Sequence, residues 1–490
     1  MERMERRQEM KIHSVKYNFI MNFIMTASSI LFPLITFPYV SRVLLPAGNG
    51  KIAFVSSVTA YFTLFASLGI PTYGIRACAK VRDDREQLSK TVQEILIINS
   101  VTMLAAFMAF FFSILMIPKF YEEKELFLIY MAGMAMNLFA MNWLFNALEQ
   151  YSYITICNLA VKTVSLALMF LLVKEADDYI LYGGITVFAG SASYLFNFIY
   201  ARRFITFRKN GVYEFRKHLK AILVFFAMSA AINVYTNLDV VMLRFMKGNS
   251  EVGYYNTAIK IKSLLTTLIT SLGTVLLPRL SYYAKKEQKE IFYQTISKVA
   301  NFVMVFGVPV MCYFMMFAKE SILLLAGREY MASVIPMVIL MPTILLIGLS
   351  NITGIQVLTP QDEEKKVLYS ILWGAGADFV LNLALIPRYA SSGAAFATVM
   401  AEWIVLTVQC IYLRSIVGNM MKQVSVGKIA AAVLLAGIAG FCIKRYFDAH
   451  VFITLAVSAC LFFGVYGAAL LGMKEKFVWE TLESMLSTRR

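Results

Sequence analysis

The chain has little of what a soluble enzyme uses. Its three histidines are scattered through 490 residues, so they form no catalytic or zinc-binding pattern. No Asp-x-Asp triplet occurs, and no loop is long enough to bury a core of its own. A membrane glycosyl polymerase or ligase usually needs one of these, so an enzyme is disfavoured. Charged residues make up only 16% of the chain, against about 25% in soluble domains. The cysteines Cys78, Cys157, Cys312, Cys410, Cys442 and Cys460 lie in or beside apolar stretches. Their spacing implies neither a disulfide framework nor a metal site. The first apolar stretch, Phe19 to Leu45, is too long for a signal-peptide core, and no cleavage is expected there.

What the chain does have is apolar stretches, fourteen of them, at 18–44, 52–75, 92–117, 125–147, 153–173, 179–201, 221–243, 252–278, 292–317, 331–357, 367–386, 391–413, 426–443 and 451–472. A helix that crosses the hydrocarbon core needs about 20 mostly apolar residues. Only helices and closed barrels satisfy their backbone polar groups there. The stretches lack the strict alternation of barrel strands. The expected fold is therefore all-α and polytopic, with about fourteen transmembrane helices.

Charge sets the expected orientation. With Arg42 and Lys428, at the ends of their stretches, counted in the adjacent loops, 30 of the 46 Lys and Arg residues fall on the side that holds both termini, 12 on the other, and four deeper inside stretches. Cytoplasmic loops carry the excess of Lys and Arg. Both termini are expected in the cytoplasm. The net charge of +16 is read as this loop bias, with no nucleic-acid partner.

A weak repeat divides the chain. Ser67-Leu68-Gly69 recurs as Ser271-Leu272-Gly273, an offset of 204. Arg42 and Gly50 correspond to Arg244 and Gly253. The expected organisation is an N-terminal lobe over 1–201, a basic cytoplasmic linker over 202–220, a C-terminal lobe over 221–413, and an appendage over 414–490. Each lobe has six helices, an even number, so the repeat is parallel, as suits alternating access. Pro33 and Pro38 fall inside the first stretch, where proline kinks a helix.

Ionisable residues at bilayer depth are costly and usually face a cavity or a partner. Lys162, Lys260, Lys262 and Glu402 are of this kind. Lysines facing a water-filled lumen suit an anionic substrate such as a phosphate. Lys260 and Lys262 stand about 200° apart around a helix, so they do not both face one lumen fully. The plainer alternative is snorkelling or pairing with a carboxylate. A second set comprises Asp239, Asp378, Asn382 and Thr398, at similar depth towards the outer face. Their carboxylate, amide and hydroxyl oxygens suit a hard cation. Interhelical hydrogen bonding is the alternative.

Phe37-Pro38-Tyr39-Val40-Ser41-Arg42-Val43-Leu44, Leu68-Gly69-Ile70-Pro71-Thr72-Tyr73-Gly74-Ile75-Arg76 and Asn237-Leu238-Asp239 resemble stretches of the Wzx-type flippases. So do Gly253-Tyr254-Tyr255, Leu277-Pro278-Arg279-Leu280-Ser281 and Asn382-Leu383-Ala384-Leu385-Ile386-Pro387. These flippases form the polysaccharide transporter family of the MOP exporter superfamily. The resemblance covers essentially the whole chain. It implies a two-lobed fold of twelve to fourteen helices in the bacterial plasma membrane. It also implies export of undecaprenyl-pyrophosphate-linked oligosaccharides. Arg76, which ends one matching stretch, joins Lys162, Lys260 and Lys262 as a candidate contact for substrate phosphate. Related lipid II flippases hold Na+ with an Asp, an Asn/Asp pair one turn apart and a Thr. Here that pair runs Asp378 then Asn382, the reverse order. The expected partners are the lipid-linked oligosaccharide, membrane lipids, a polysaccharide polymerase and chain-length machinery. No cofactor is expected beyond Na+ or H+ as coupling ion. The alternatives are a lipid II flippase, which differs in headgroup, and a MATE-like drug or metabolite antiporter, which would favour an acidic cavity.

Overall fold

The structure is a computed structural model that describes residues 15–208, 211–286, 288–422, 424–447, 449–479 and 483. The basic residues Arg3, Arg6, Arg7, Lys11, Arg489 and Arg490 lie outside the described residues. The described chain is helical and contains no strand. Eleven of its helices are long and apolar enough to cross a membrane, so the protein is a multi-pass membrane protein.

Two compact units divide the chain. Residues 1–44 and 51–237 form one, and residues 45–50 and 238–490 the other. The first unit contains most of α1 (Val15–Ser67), then α2 (Ile70–Ala79), α3 (Arg85–Met116) and a single turn, α4 (Pro118–Tyr121). It continues with α5 (Lys124–Met136), α6 (Asn142–Ala147), α7 (Tyr151–Leu172), α8 (Tyr179–Ala201) and the greater part of α9 (Arg216–Met246). The second unit has the end of α9, α10 (Asn249–Lys285), α11 (Lys289–Met316), α12 (Ala318–Leu325), α13 (Val334–Leu340) and α14 (Thr343–Asn351). It closes with α15 (Glu364–Tyr412), α16 (Arg414–Lys422), α17 (Val426–Tyr446) and α18 (Val451–Gly472).

Two helices are too long for one crossing. The 53 residues of α1 would span roughly 80 Å as one rod, far more than the ~30 Å hydrocarbon core. Leu45 breaks it, with φ 59° and ψ 175°. The 49-residue α15 breaks at Ala390, with φ 47° and ψ −129°. There the chain folds back on itself. Gln409 Nε2 donates to Ser370 Oγ at 2.9 Å, although 39 residues separate them. A straight helix would hold those two residues roughly 58 Å apart. The second arm starts at Ser391, whose N–H donates to Glu251 of α10 at 3.1 Å. That carboxylate satisfies a backbone donor that the first turn of a helix leaves without an intrahelical partner. Of the long helices, α10 is not among the eleven; it carries Lys260 and Lys262.

Three expected helices are interrupted. The stretch expected at 52–75 continues α1 only to Ser67, then turns through Leu68 and Gly69 into α2. Gly69 has φ 74°, and a Cβ there would lie 2.6 Å from the Phe226 backbone nitrogen. Only glycine meets both conditions. Pro71 then opens α2, in the first turn where proline removes no needed donor. The stretch expected at 125–147 is split by a 3-10 turn, Asn137–Phe139. The stretch expected at 331–357 becomes a 3-10 segment, α13, α14 and a π-helical segment, Ile352–Leu358. Pro336 and Pro342 lie at the joints, and apolar periodicity alone does not register such breaks.

The segment expected as an interlobe linker is fixed to the first unit. Gln93 of α3 donates to the Thr206 carbonyl at 2.6 Å and accepts from Tyr213 Oη at 2.8 Å. The fully buried Glu94 accepts from the Glu214 N–H at 2.7 Å, from Lys217 at 3.0 Å and contacts His218 at 2.7 Å. Beneath it lies a core that includes Ile70, Leu88, Val92, Ile95, Trp143 and Leu144.

Candidate functional site

Asp239 is near the end of α9, Tyr255 is on α10, Asp378 and Asn382 are on the first arm of α15, and Thr398 is on the second. Asp378 and Asn382 are four residues apart, so they share one helix face. Asn382 precedes the Ala390 reversal by eight residues and Thr398 follows it by eight. The reversal therefore sets them at one level. All five residues belong to the second unit, and none is more than 7% exposed.

Asp239 is the hub. Asn382 Nδ2 donates to Asp239 Oδ1 at 2.5 Å and to Asp378 Oδ2 at 3.1 Å. Both amide hydrogens are thereby used, which fixes the orientation of the amide. The two acceptor oxygens are within about 5.6 Å of one another, the sum of those two distances. Tyr255 Oη donates to Asp239 Oδ2 in a short hydrogen bond. Thr398 Oγ1 lies 2.9 Å from both Asp239 Oδ2 and the Ala394 carbonyl, and its one proton serves one of them at a time. Tyr255 and Thr398 also touch, oxygen to oxygen, at 2.8 Å.

Asp378 Oδ1 and Asn382 Oδ1 are buried with no hydrogen-bond partner. Buried polar atoms are normally satisfied, so two orphaned oxygens side by side require an explanation. They are hard oxygen donors beside two carboxylates, and this set fits an alkali cation or a proton. Among the described residues there is no cluster of three or more His, Cys, Asp and Glu able to hold a metal ion.

The structure thus brings Asp239, Asp378, Asn382 and Thr398 together and adds Tyr255. Tyr255 escaped the sequence reading because a tyrosine in an apolar helix reads as core. Its place in Gly253-Tyr254-Tyr255 was the available signal. The basic residues are divided between the units, Arg76 and Lys162 in the first and Lys260 and Lys262 in the second. Lys162 donates to Ser29 at 2.9 Å and Ser28 at 3.2 Å, both on α1. Lys260 and Lys262 are half-buried on α10. Lys262 lies in the electrostatic field of Glu402 and Asp239. Arg76 is exposed on α2 and borders a cavity of about 510 Å³ with Lys80, Lys217 and His218.

The fold is that of a multi-pass helical membrane protein with a buried polar cluster in its second unit. The chain belongs to the polysaccharide biosynthesis protein family, whose profile matches residues 15–284. It is 24% identical over 411 residues to a protein of Escherichia coli (strain K12) named "Putative O-antigen transporter", covering 82% of this chain and 97% of that one. A Shigella dysenteriae protein of the same name is 26% identical over 405 residues, covering 80% and 98%. Among solved structures, lipid II flippase MurJ in an inward closed conformation superposes with a TM-score of 0.74 at 14% identity, over 93% of this chain and 98% of that one. An inward-facing multidrug resistance MATE transporter gives 0.61 at 14% identity, over 83% and 99%. The Wzx-like resemblance therefore stands, and the named relatives are transporters.

Proposed function

We propose that this protein flips undecaprenyl-pyrophosphate-linked oligosaccharides across the bacterial plasma membrane by ion-coupled alternating access. The observation that carries the coupling half of this reading is the buried Asp239–Asp378 pair bridged by Asn382. Two carboxylates so close in a low-dielectric interior repel strongly unless a positive charge intervenes. A bound cation or proton would supply that charge and offset the repulsion. Asp239, Asp378, Asn382 and Thr398 would hold it. Their ordinary hydrogen bonds tie α9, α10 and both arms of α15 together, so a change of charge state there loosens or tightens the helix group. Family membership and the two O-antigen transporter relatives support the lipid-linked substrate.

In this reading the chain crosses the bilayer fourteen times. The two arms of α1 and the two arms of α15 each count separately, and α10 is a further crossing. The 30-to-12 distribution of Lys and Arg supports cytoplasmic termini. Alternating access is carried by the lobes 1–201 and 221–413, joined in sequence by the 202–220 segment, with 414–490 outside the repeat. Arg76, Lys162, Lys260 and Lys262 serve the pyrophosphate, singly at different depths. A polymerase and its chain-length machinery receive the product.

The test is reconstitution in liposomes with lipid-linked oligosaccharide extracted from the host cell. The expected result is protein-dependent movement of the glycolipid between leaflets, accelerated by an imposed Na+ or H+ gradient. No movement of glycolipid, with gradient-driven extrusion of a cationic dye instead, would overturn the reading in favour of a drug antiporter.

A further inference from the structure

A groove of about 530 Å³ lies within the first unit, with Ile129 of α5, Leu172 of α7 and Phe188 of α8 in its wall. Apart from two aspartates at one end, the residues that line it are apolar or glycine. Gly184 keeps it open, since a Cβ there would meet no atom within 4 Å. Along α8 and the 3-10 turn before it, Ala176–Asp178, the lining runs from Asp177 to Phe188. That stretch of helix rises about 16 Å, roughly half of the ~30 Å hydrocarbon core, which is the depth of one leaflet.

The two acids sit at the level of lipid heads. The apolar crossing Ala176–Ala201 has 26 residues. It is about 39 Å long, against about 40–45 Å for a bilayer with its headgroup layers. Its first residues therefore reach the headgroup layer. There Asp178 Oδ2 accepts from the N–H of Lys174 at 2.8 Å and from that of Glu175 at 2.9 Å. Those two bonds hold the carboxylate in place and leave Oδ1 for a further donor. Asp177 is exposed beside it. Residues 174–178 carry one lysine against Glu175, Asp177 and Asp178, so this end of the groove is net acidic. It repels a lipid head whose charge is a phosphate alone and attracts one that carries an ammonium. The net charge of +16 on the whole chain pulls the other way, towards anionic lipid.

We propose that this groove is a binding site for one phospholipid with an ammonium-bearing head, such as phosphatidylethanolamine. An acyl chain lies over Gly184, and the ammonium meets Asp177 and Asp178. The inference does not depend on the proposed flipping function. Every lipid-facing helix meets acyl chains, so it is the head that separates a site from surrounding lipid. Selection of an ammonium head, against the charge of the chain as a whole, belongs to this groove.

The test is photo-crosslinking of the full-length protein in nanodiscs. The probes are phosphatidylethanolamine and phosphatidylglycerol, each with a diazirine in one acyl chain, and the labelled peptides are mapped by mass spectrometry. The peptide that contains Leu181 and Phe188 should be labelled about fivefold more by the phosphatidylethanolamine probe, the upper end for an exposed ion pair. Other lipid-facing peptides should show no such preference. Asp177→Asn with Asp178→Asn should abolish the preference and leave labelling by the phosphatidylglycerol probe in place. Asparagine keeps an oxygen for the two N–H donors, so the turn survives. Gly184→Leu fills the groove and should remove the excess labelling at this peptide. Unchanged labelling elsewhere shows that each variant is folded and inserted. Equal labelling of this peptide by the two probes in the wild type would mean that the groove holds ordinary surrounding lipid. A preference that survives either the paired aspartate substitutions or Gly184→Leu would likewise overturn the site.

Discussion

Gly50 and Gly253 occupy reciprocal positions in the second unit. A Cβ at Gly50 would lie 1.8 Å from the carbonyl oxygen of Asn249, and one at Gly253 would lie 2.0 Å from that of Pro46. Each glycine thus receives the carbonyl found four residues before the other. Such an exchange is what a local two-fold axis produces. It falls on the glycine pair that the Arg42/Gly50 and Arg244/Gly253 correspondence matched in sequence.

Substitution of either glycine should therefore act on one shared contact. Gly50→Val and Gly253→Val each force the backbones apart, at about 1–3 kcal/mol typical of overpacking. Once the helices have separated for one valine, the second meets less resistance. The double variant should lose clearly less than the sum of the singles, by a coupling of about 0.5 kcal/mol or more. Thermal unfolding of the four proteins in detergent measures this. Strict additivity would mean that the two contacts are independent.

Tyr255→Phe should lower both stability and transport. It removes the donor to Asp239 Oδ2 and the partner of Thr398 without altering the ring. The loss is about 1–3 kcal/mol, more than a neutral hydrogen bond, because the acceptor is a buried carboxylate. Gradient-driven flipping should fall at least tenfold. Tyr255→Phe with wild-type melting and wild-type transport would remove this residue from the cluster.

The helical stretches and the Asp/Asn pair were legible in the sequence because length and four-residue spacing are local properties. The boundary expected between 386 and 391 contains the α15 reversal at Ala390. Convergence is not local. That Thr398 meets Asp239 depends on φ 47° at Ala390, a residue with no turn signature of its own. Tyr255 was hidden for the reason that hides most buried tyrosines: its ring packs like phenylalanine, and only the hydroxyl carries the function. The breaks at 137–139 and 352–358 were missed because they only change local backbone hydrogen bonding to 3-10 and π type and leave the apolar pattern as it is.

The lysines test the proposed contact with substrate. Lys162→Gln keeps a hydrogen-bonding group within reach of Ser28 and Ser29, so melting should shift little. If Lys162, Lys260 and Lys262 contact pyrophosphate, the triple Lys→Gln variant should reduce surface polysaccharide while membrane insertion remains normal. Unchanged polymer in that variant, by gel and by composition, would detach the lysines from the substrate.

The two acids of the cluster should respond differently to the same change. Asp239 receives donors from Asn382, Tyr255 and, part of the time, Thr398. Asp239→Asn keeps an acceptor for Asn382, while Tyr255 and Thr398 must turn their hydroxyls to accept from the new NH2, so the charge-assisted hydrogen bonds are lost. A loss of about 1–3 kcal/mol is expected. Asp378 is less engaged, since Oδ2 accepts only from Asn382 and Oδ1 has no partner. Asp378→Asn keeps the acceptor, removes one of two repelling charges and can turn its NH2 towards the orphaned Asn382 Oδ1. Its melting temperature should match or exceed the wild type. The same substitution removes the charge that a cation or proton would answer, so acceleration by an ion gradient should vanish while the glycolipid still binds. A stabilised protein that no longer responds to either gradient is the outcome expected of a coupling site. A stabilised protein with full gradient response would show that the cluster only holds the helices together.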